Sequence, residues 1–531
     1  MTTNTISYEE TGYFSKLICD YLAEDTALTD FYGRFPKLEN FKRQIEAKKE
    51  TFTSESRNAL VEQLKTQYKS FKISEATQQN IELLSEENTF TITTGHQLNL
   101  FTGPLYFLYK IFSVINLSEA LKEKYPMYDF VPVYWMATED HDFDEINYFN
   151  YQGKKITWNR PSGGAVGEFS TEGLQEVAEQ LAPIFGESER GKHLHQLFTE
   201  AYLNHDNLAD ATRFLGNELF KEHGLVIVDG NDAVLKKAFI PYAEKELTQQ
   251  QSYKKVTETT KRLVDLGYAE QVHPREINLF YLVEGVRERI VEVEGSFYVN
   301  ETKIEFTKDA LLRELQEHPE RFSPNALLRP LYQEVILPNL CYVGGGGELA
   351  YWFQLKDYFD SVAVPFPMLL LRNSALLVSQ KSLEKLQKLG VSVSQLFQKQ
   401  TDLKTEHTHE LSEIEIDFST QRAHLQQQFK ELYVIAEKTD ASFIGAVAAQ
   451  EKKQLNGLDH LEKRLLKAQK RKLADQLERL TDLQDALFPK QSLQERNTNF
   501  SEYYVVYGNT LLNELKRKLN PLQPEFTIVT L

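Results

Sequence analysis

Residues 131 to 147 read VPVYWMATEDHDFDEIN, an apolar run that ends abruptly in three acids and a histidine. The short apolar run at 130–137 predicts a buried strand, and the charges directly behind it mark that strand's carboxyl end. Charged groups there are costly unless they are paired, solvated or bound to a ligand. Closely spaced carboxylates suit a substrate ammonium or a divalent cation, and His141 can move a proton near neutral pH. Asp142, Asp144 and Glu145 also fit the acidic start of a helix. Glu139, Asp140 and His141, nearest the strand, are the candidate catalytic group, with Asp142 beside them for substrate binding.

Three further runs, at 89–94, 225–228 and 367–371, predict companion strands. The helix expected over 207–222 buries Leu208, Ala211, Leu215 and Leu219 and stops before Gly224, feeding one of these strands. Strands alternating with helices predict a parallel α/β sheet. Ligands bind such a sheet beyond the strands' carboxyl ends, where the strand order changes direction.

The other strand ends add candidates. TTGHQLNLFTGPLYFLYK, at 93–110, places Gly95, His96, Gln97 and Asn99 after the first strand, and Gly103 with Pro104 before a helix. Gly95 predicts a tight turn, and the helix start suits a phosphate or carboxylate. This spacing matches neither the P-loop nor the dinucleotide fingerprint. CYVGGGGELAYW predicts a glycine turn at 344–347 before a helix beginning near Glu348, with Gly345 for an anion and Glu348 for an amino group. Lys110, Arg329 and Arg372 are candidate anion partners, and Arg372, directly behind a strand, is preferred. Tyr504 and Tyr507, with Asn509, are candidates to stack and hold a nucleotide base, against aromatic core packing as the simpler reading. Cys341 reads as a small buried apolar residue.

Leucine spacing organises the C-terminal third. Leu411, Phe418, Leu425 and Leu432 recur every seven residues, as do Leu466, Leu473, Leu480 and Leu487 beyond ASFIGAVAA. Two such arms predict an antiparallel helical coiled coil able to pair two chains. The predicted division is a core over 1–150, 206–248 and 325–378, insertions at 151–205 and 249–324, the coiled coil at 379–495 and a return to the core at 496–531. Within the second insertion, RIVEVEGSFYV alternates like a hairpin.

Composition excludes several classes. A net charge of −17 disfavours nucleic acid as the main partner. No window approaches eighteen consecutive apolar residues, so no membrane span is expected, and the basic and apolar segments of a signal peptide are missing from MTTNTISYEE. The cytoplasm is the expected compartment. Two cysteines are too few for a disulfide framework or a thiolate zinc site, so no structural metal is predicted.

Taken as an ordered set, TGHQLNLFTGPLYFLYK, VPVYWMATEDHDFDEIN, SPNALLRPLYQEVILPNLCYVGGGGELAYW and the coiled coil resemble the bacillithiol biosynthesis cysteine-adding enzymes, the cysteine ligase family, across nearly the whole chain. The resemblance implies a Rossmann-like core interrupted by connecting-peptide insertions, similar to class I aminoacyl-tRNA synthetases, and a coiled coil that makes a homodimer. It also implies that cysteine is joined through its carboxyl group to the amine of glucosaminyl-malate. His96, Leu98 and Asn99 depart from the family's usual GQQPGLFTGPLY, and Gly346 stands where proline is common.

An amide made from a free carboxylate requires activation, and ATP with Mg²⁺ is the expected source, through an acyl-adenylate or an acyl-phosphate. His141 or His96 is expected to take the amine's proton. A ligase using a different amine, and a non-catalytic coiled-coil binding protein, are the alternatives.

Overall fold

The computed structural model describes residues 4–531. Five parallel strands form the central sheet, in the spatial order Met368–Leu371, Asn339–Gly344, Thr89–His96, Asp129–Met136, Val226–Asp229. The chain lays down the last three in sequence, then crosses to the far side of Thr89–His96 to place the other two. This is Rossmann-type order, with its switch point between Thr89–His96 and Asn339–Gly344. Four of the strands coincide with the predicted runs to within a residue or two. The fifth, NLCYVG, runs directly into glycines, and no strand is expected there from the sequence. It is fully buried beside the first strand.

Helices cover the sheet for local reasons. Leu208–Phe220 is capped by Asn207, whose side chain accepts the Asp210 N–H, and it buries Leu208, Ala211 and Leu215. Tyr106–Lys124 is buried along nearly its whole length, which explains its apolar sequence YFLYKIFSVINL. Cys341 is fully buried in the Asn339–Gly344 strand, and burial pushes its thiol well above the usual range.

The segments between core strands carry their own structure. A hairpin, Tyr148–Tyr151 with Lys154–Thr157, precedes helices Leu174–Phe185 and Glu189–Leu203. Farther on, an antiparallel sheet has the order Glu305–Thr307, Ser296–Val299, Val286–Val293, Leu279–Val283, Phe322–Pro324. It contains the predicted hairpin. A third sheet joins Asn4–Ser7, Glu525–Thr530 and Ala375–Val378.

The chain forms two compact units, residues 1–377 with 493–531, and residues 378–492. The second is the helical hairpin. Ser419–Ala436 packs on Ala441–Lys472, with Phe429, Ala436 and Val447 buried between them and Leu425 and Tyr433 against that cluster. Two details differ from the heptad reading. The turn lies at 437–440, and ASFIGAVAA is the beginning of the second helix, because Asp440 accepts the Ser442 and Phe443 N–H groups as its cap. Leu411 ends one helix and Phe418 precedes the next, so the first arm breaks at 412–418. Among the described residues no helix is long and apolar enough to cross a membrane.

Candidate active site

A cleft of about 530 Å³ opens at the switch point, lined by the ends of Thr89–His96, Asp129–Met136 and Asn339–Gly344 and by residues of the antiparallel sheet. Its wall holds Gly95, His96 and Gln97 from the end of Thr89–His96, Glu139, Asp140 and His141 from the end of Asp129–Met136, and Glu348 beyond Asn339–Gly344. The three separate stretches singled out by sequence therefore meet in one place.

Gly95 owes its identity to space. It lies within the strand, and a Cβ there would come within 3.1 Å of the Tyr342 hydroxyl. Gly103 does need its conformation: its φ is +64°, in a left-handed stretch with Phe101 and Thr102. Asn499 holds that stretch by donating its side-chain amide to the Phe101 and Gly103 carbonyls at 2.8 and 2.5 Å.

One donor of the expected phosphate cradle is already taken. At the start of Tyr106–Lys124 the Leu105 N–H donates to the Thr498 carbonyl at 2.8 Å. The second glycine segment enters a helix at Gly346, two residues before the position expected, and Gly345 gives its N–H to the Glu348 carboxylate at 3.2 Å. The chain thus satisfies one backbone donor at each of these helix starts itself.

Glu348 also accepts the Tyr342 hydroxyl at 2.7 Å and faces Lys110 Nζ at 2.6 Å. Burial alone would raise its carboxyl. The Lys110 charge and these hydrogen bonds outweigh burial and hold it below the usual range. Lys110, likewise buried, is lowered by desolvation against the pull of Glu348, and its ammonium also donates to the Gly95 carbonyl at 2.6 Å. Glu348 therefore already holds a protein ammonium, where a substrate ammonium was expected.

The strand-end acids divide in the same way. Glu139 faces Lys236 at 2.6 Å. Asp140 has no Lys or Arg ion-pair partner among the described residues. Its Oδ2 accepts the Gln97 amide at 2.8 Å, and its Oδ1 accepts the His141 backbone N–H at 2.8 Å. Gln97 bridges on to Glu145 at 2.8 Å, and Asn99 donates to the Glu145 carbonyl at 3.2 Å, so these two amides clamp the acidic loop. Asp142 is exposed before the short helix Phe143–Ile146, outside the cleft.

The two histidines differ. His96 is buried against Tyr106 and Phe107, and burial, then the nearby Lys110 charge, holds it well below the usual range. It is a neutral imidazole whose Nε2 finds no protein partner among the described residues. His141 is half-exposed, and its Nδ1 lies 2.7 Å from Arg287 NH1.

Arg372 has a different partner from the one expected. It is buried against Glu495 at 2.7 Å and does not line the cleft. Of the two arginines named as anion partners, the one that does is Arg329, set between Trp135 and Tyr342 at 5.9 and 5.6 Å and donating to Gln333 at 2.9 Å. Tyr504, Tyr507 and Asn509 are also absent from the lining. Tyr504 is packed beside His193 and donates its hydroxyl to Asn509 at 2.6 Å, which is the core-packing alternative. Sequence reasoning missed Arg287, Phe280, Tyr342 and Tyr351 in the lining, and Lys236 behind it. Arg287 sits in a strand whose alternation was legible, but nothing in that pattern says what the strand faces.

Two family profiles match the chain. One described as bacillithiol biosynthesis BshC, N-terminal Rossmann-like domain, covers residues 1–373, and one described as bacillithiol biosynthesis BshC, C-terminal coiled-coil domain, covers 375–531. A relative from Christiangramia forsetii, named "Putative cysteine ligase BshC", is 57% identical over 534 residues, spanning 100% of this chain and 99% of that protein. Proteins of the same name from Flavobacterium johnsoniae and Cytophaga hutchinsonii are 57% and 40% identical, over 100% and 97% of this chain and 100% and 96% of theirs. A solved structure titled as an arginyl tRNA synthetase from Campylobacter jejuni aligns over 83% of this chain and 97% of its own at 10% identity, with a TM-score of 0.20, too low to bear on the fold.

Proposed function

Because this chain belongs to the bacillithiol biosynthesis BshC family, we propose that it is a ligase that joins cysteine, through its carboxyl group, to the amine of glucosaminyl-malate. The observation that carries this reading is that the cleft holds both a carboxylate in no lysine or arginine ion pair, Asp140, and a guanidinium in no carboxylate ion pair, Arg329, among the described residues. Such a pair suits reactants that bring both an ammonium and a carboxylate. Asp140 holds the amine, Gln97 fixes Asp140, and Arg329 faces the carboxylate. Holding amine and acyl carbon together removes much of the entropic cost of their meeting.

The cysteinyl carboxyl must be activated first, and ATP with Mg²⁺ is the source we propose. The roles assigned to Asp140 and Arg329 are independent of where it binds.

The decisive experiment is mass spectrometry of the purified protein with cysteine, glucosaminyl-malate, ATP and Mg²⁺, and with each omitted in turn. The cysteinyl amide is expected only when both reactants are present, and loss of product without ATP identifies the activating reagent. No product from folded protein, or product with other amines only, overturns the acceptor assignment.

We also propose that the hairpin pairs two copies of the chain. Leu432, Val434, Ile435 and Phe443, near its turn, are 42% to 55% exposed although Leu432 keeps the heptad spacing. Apolar side chains grouped in this way favour a partner surface. Ile435→Asp, which leaves Phe429 and Val447 packed, is expected to give a monomer by light scattering where the parent chain is a dimer.

A further inference from the structure

We propose that Arg287 locks His141 in the tautomer that carries its proton on Nε2, making His141 a hydrogen-bond donor to the reacting carboxyl oxygen and leaving Asp140 to take the amine's proton. The inference deepens the ligase reading and rests on it.

Arg287 comes from Val286–Val293 in the antiparallel sheet, and that sheet holds it on three sides. Its Nε donates to Ser323 Oγ at 3.1 Å, its NH2 donates to the Pro324 carbonyl at 3.3 Å, and its guanidinium lies over the Phe280 ring at 4.2 Å. The remaining arm, NH1, reaches His141 Nδ1 at 2.7 Å. A guanidinium has donors and no acceptor and keeps its proton in proteins. Nδ1 must therefore be the acceptor, and a neutral ring that accepts at Nδ1 carries its hydrogen on Nε2. His141 then has no lone pair left to receive a proton while Arg287 is in place. Its Nε2 makes no hydrogen bond within the protein among the described residues, so its N–H is available to a ligand.

The amide step balances with this assignment. The acceptor enters this step as the neutral amine, whose nitrogen donates its lone pair to the activated acyl carbon and forms the C–N bond. The bond from that carbon to the departing oxygen, activated by the nucleoside triphosphate, breaks with its electron pair. The nitrogen loses its proton to the Asp140 carboxylate. The His141 N–H bonds the carbonyl oxygen as negative charge builds on it and transfers nothing. A donor of this kind is typically worth about 10²–10³ in rate. Arg287 itself is a positioning residue, acting through His141.

Nitrogen NMR on histidine-labelled full-length protein, without substrate, tests the tautomer directly. His141→Gln identifies the signal among the 12 histidines by removing it. The expected result is an unprotonated Nδ1 and a protonated Nε2 in the parent chain, averaging between tautomers in Arg287→Met, and restoration of the single form in Arg287→Lys. A protonated Nδ1, or a ring unchanged by Arg287→Met, overturns the proposal. In the ligase assay, His141→Gln, whose side-chain amide also donates, is expected to stay within about tenfold of the parent, while His141→Ala loses about 10²–10³-fold. Equal loss in both makes His141 the base and rejects the inference. If the parent chain forms no cysteinyl amide, the ligase reading fails, whereas the tautomer, read without substrate, stands or falls on its own.

Discussion

Asp140→Asn is expected to slow amide formation by about 10²–10⁴-fold, the usual worth of a positioned proton acceptor, while leaving thermal unfolding close to that of the parent. The replacement keeps the size of the side chain but leaves one acceptor oxygen where the carboxylate has two, so it can accept from Gln97 or from the His141 backbone N–H and loses one bond of a partly exposed loop. It removes the negative charge that draws the amine and the oxygen that accepts its proton. Glu139 and Glu348 cannot take over, because each already faces a buried lysine, Lys236 and Lys110 respectively. Initial rates by mass spectrometry, alongside the melting temperature, decide the matter. A rate within tenfold of the parent rejects Asp140 as the acceptor, and a collapsed melting temperature makes it structural.

The second large effect concerns the fold. Glu495→Ala is expected to cost about 3–5 kcal/mol, because it strands a buried guanidinium. Glu495 accepts from Arg372 NH2 at 2.7 Å, Ser374 Oγ at 3.2 Å and the Ala375 N–H at 3.1 Å, and both members of the pair are at most 5% exposed. Truncation leaves that charge and a backbone donor without their shared acceptor. Changing Arg372 and Glu495 to Met together is expected to recover much of the loss, since an apolar pair of similar volume removes both charges. Denaturant titration of the two variants measures this. A double variant no better than Glu495→Ala would show that the pair is needed for shape rather than charge.

This pair also shows where the sequence was readable and where it was not. The strand 130–137 and the acids behind it were legible because an apolar run ending in charge is a local pattern; Glu139, Asp140, His141, Gly95 and Gln97 followed from asking what gathers at strand ends, and Glu348 from the glycines before its helix. Arg372 met the same criterion and yet faces Glu495, 123 positions away. No local pattern records such a partner. The same gap in sequence hid Arg287 from His141 across 146 positions. Heptads announced the helical hairpin, but its turn depended on one capping aspartate, Asp440, that the leucine count could not register.

After the hairpin, the chain is sewn back by side chains as well as by a strand. Gln494 accepts the Leu377 N–H and donates to the Leu377 carbonyl, in place of a neighbouring strand. Asn499 holds the left-handed stretch at Gly103, and Glu525–Thr530 pairs antiparallel with Asn4–Ser7. A single proteolytic cut in the turn at 437–440 would therefore sever the polypeptide without freeing its C-terminal piece. The two fragments are expected to co-elute under native conditions and to separate only in denaturant, making that turn a natural seam for a split enzyme whose halves reassemble.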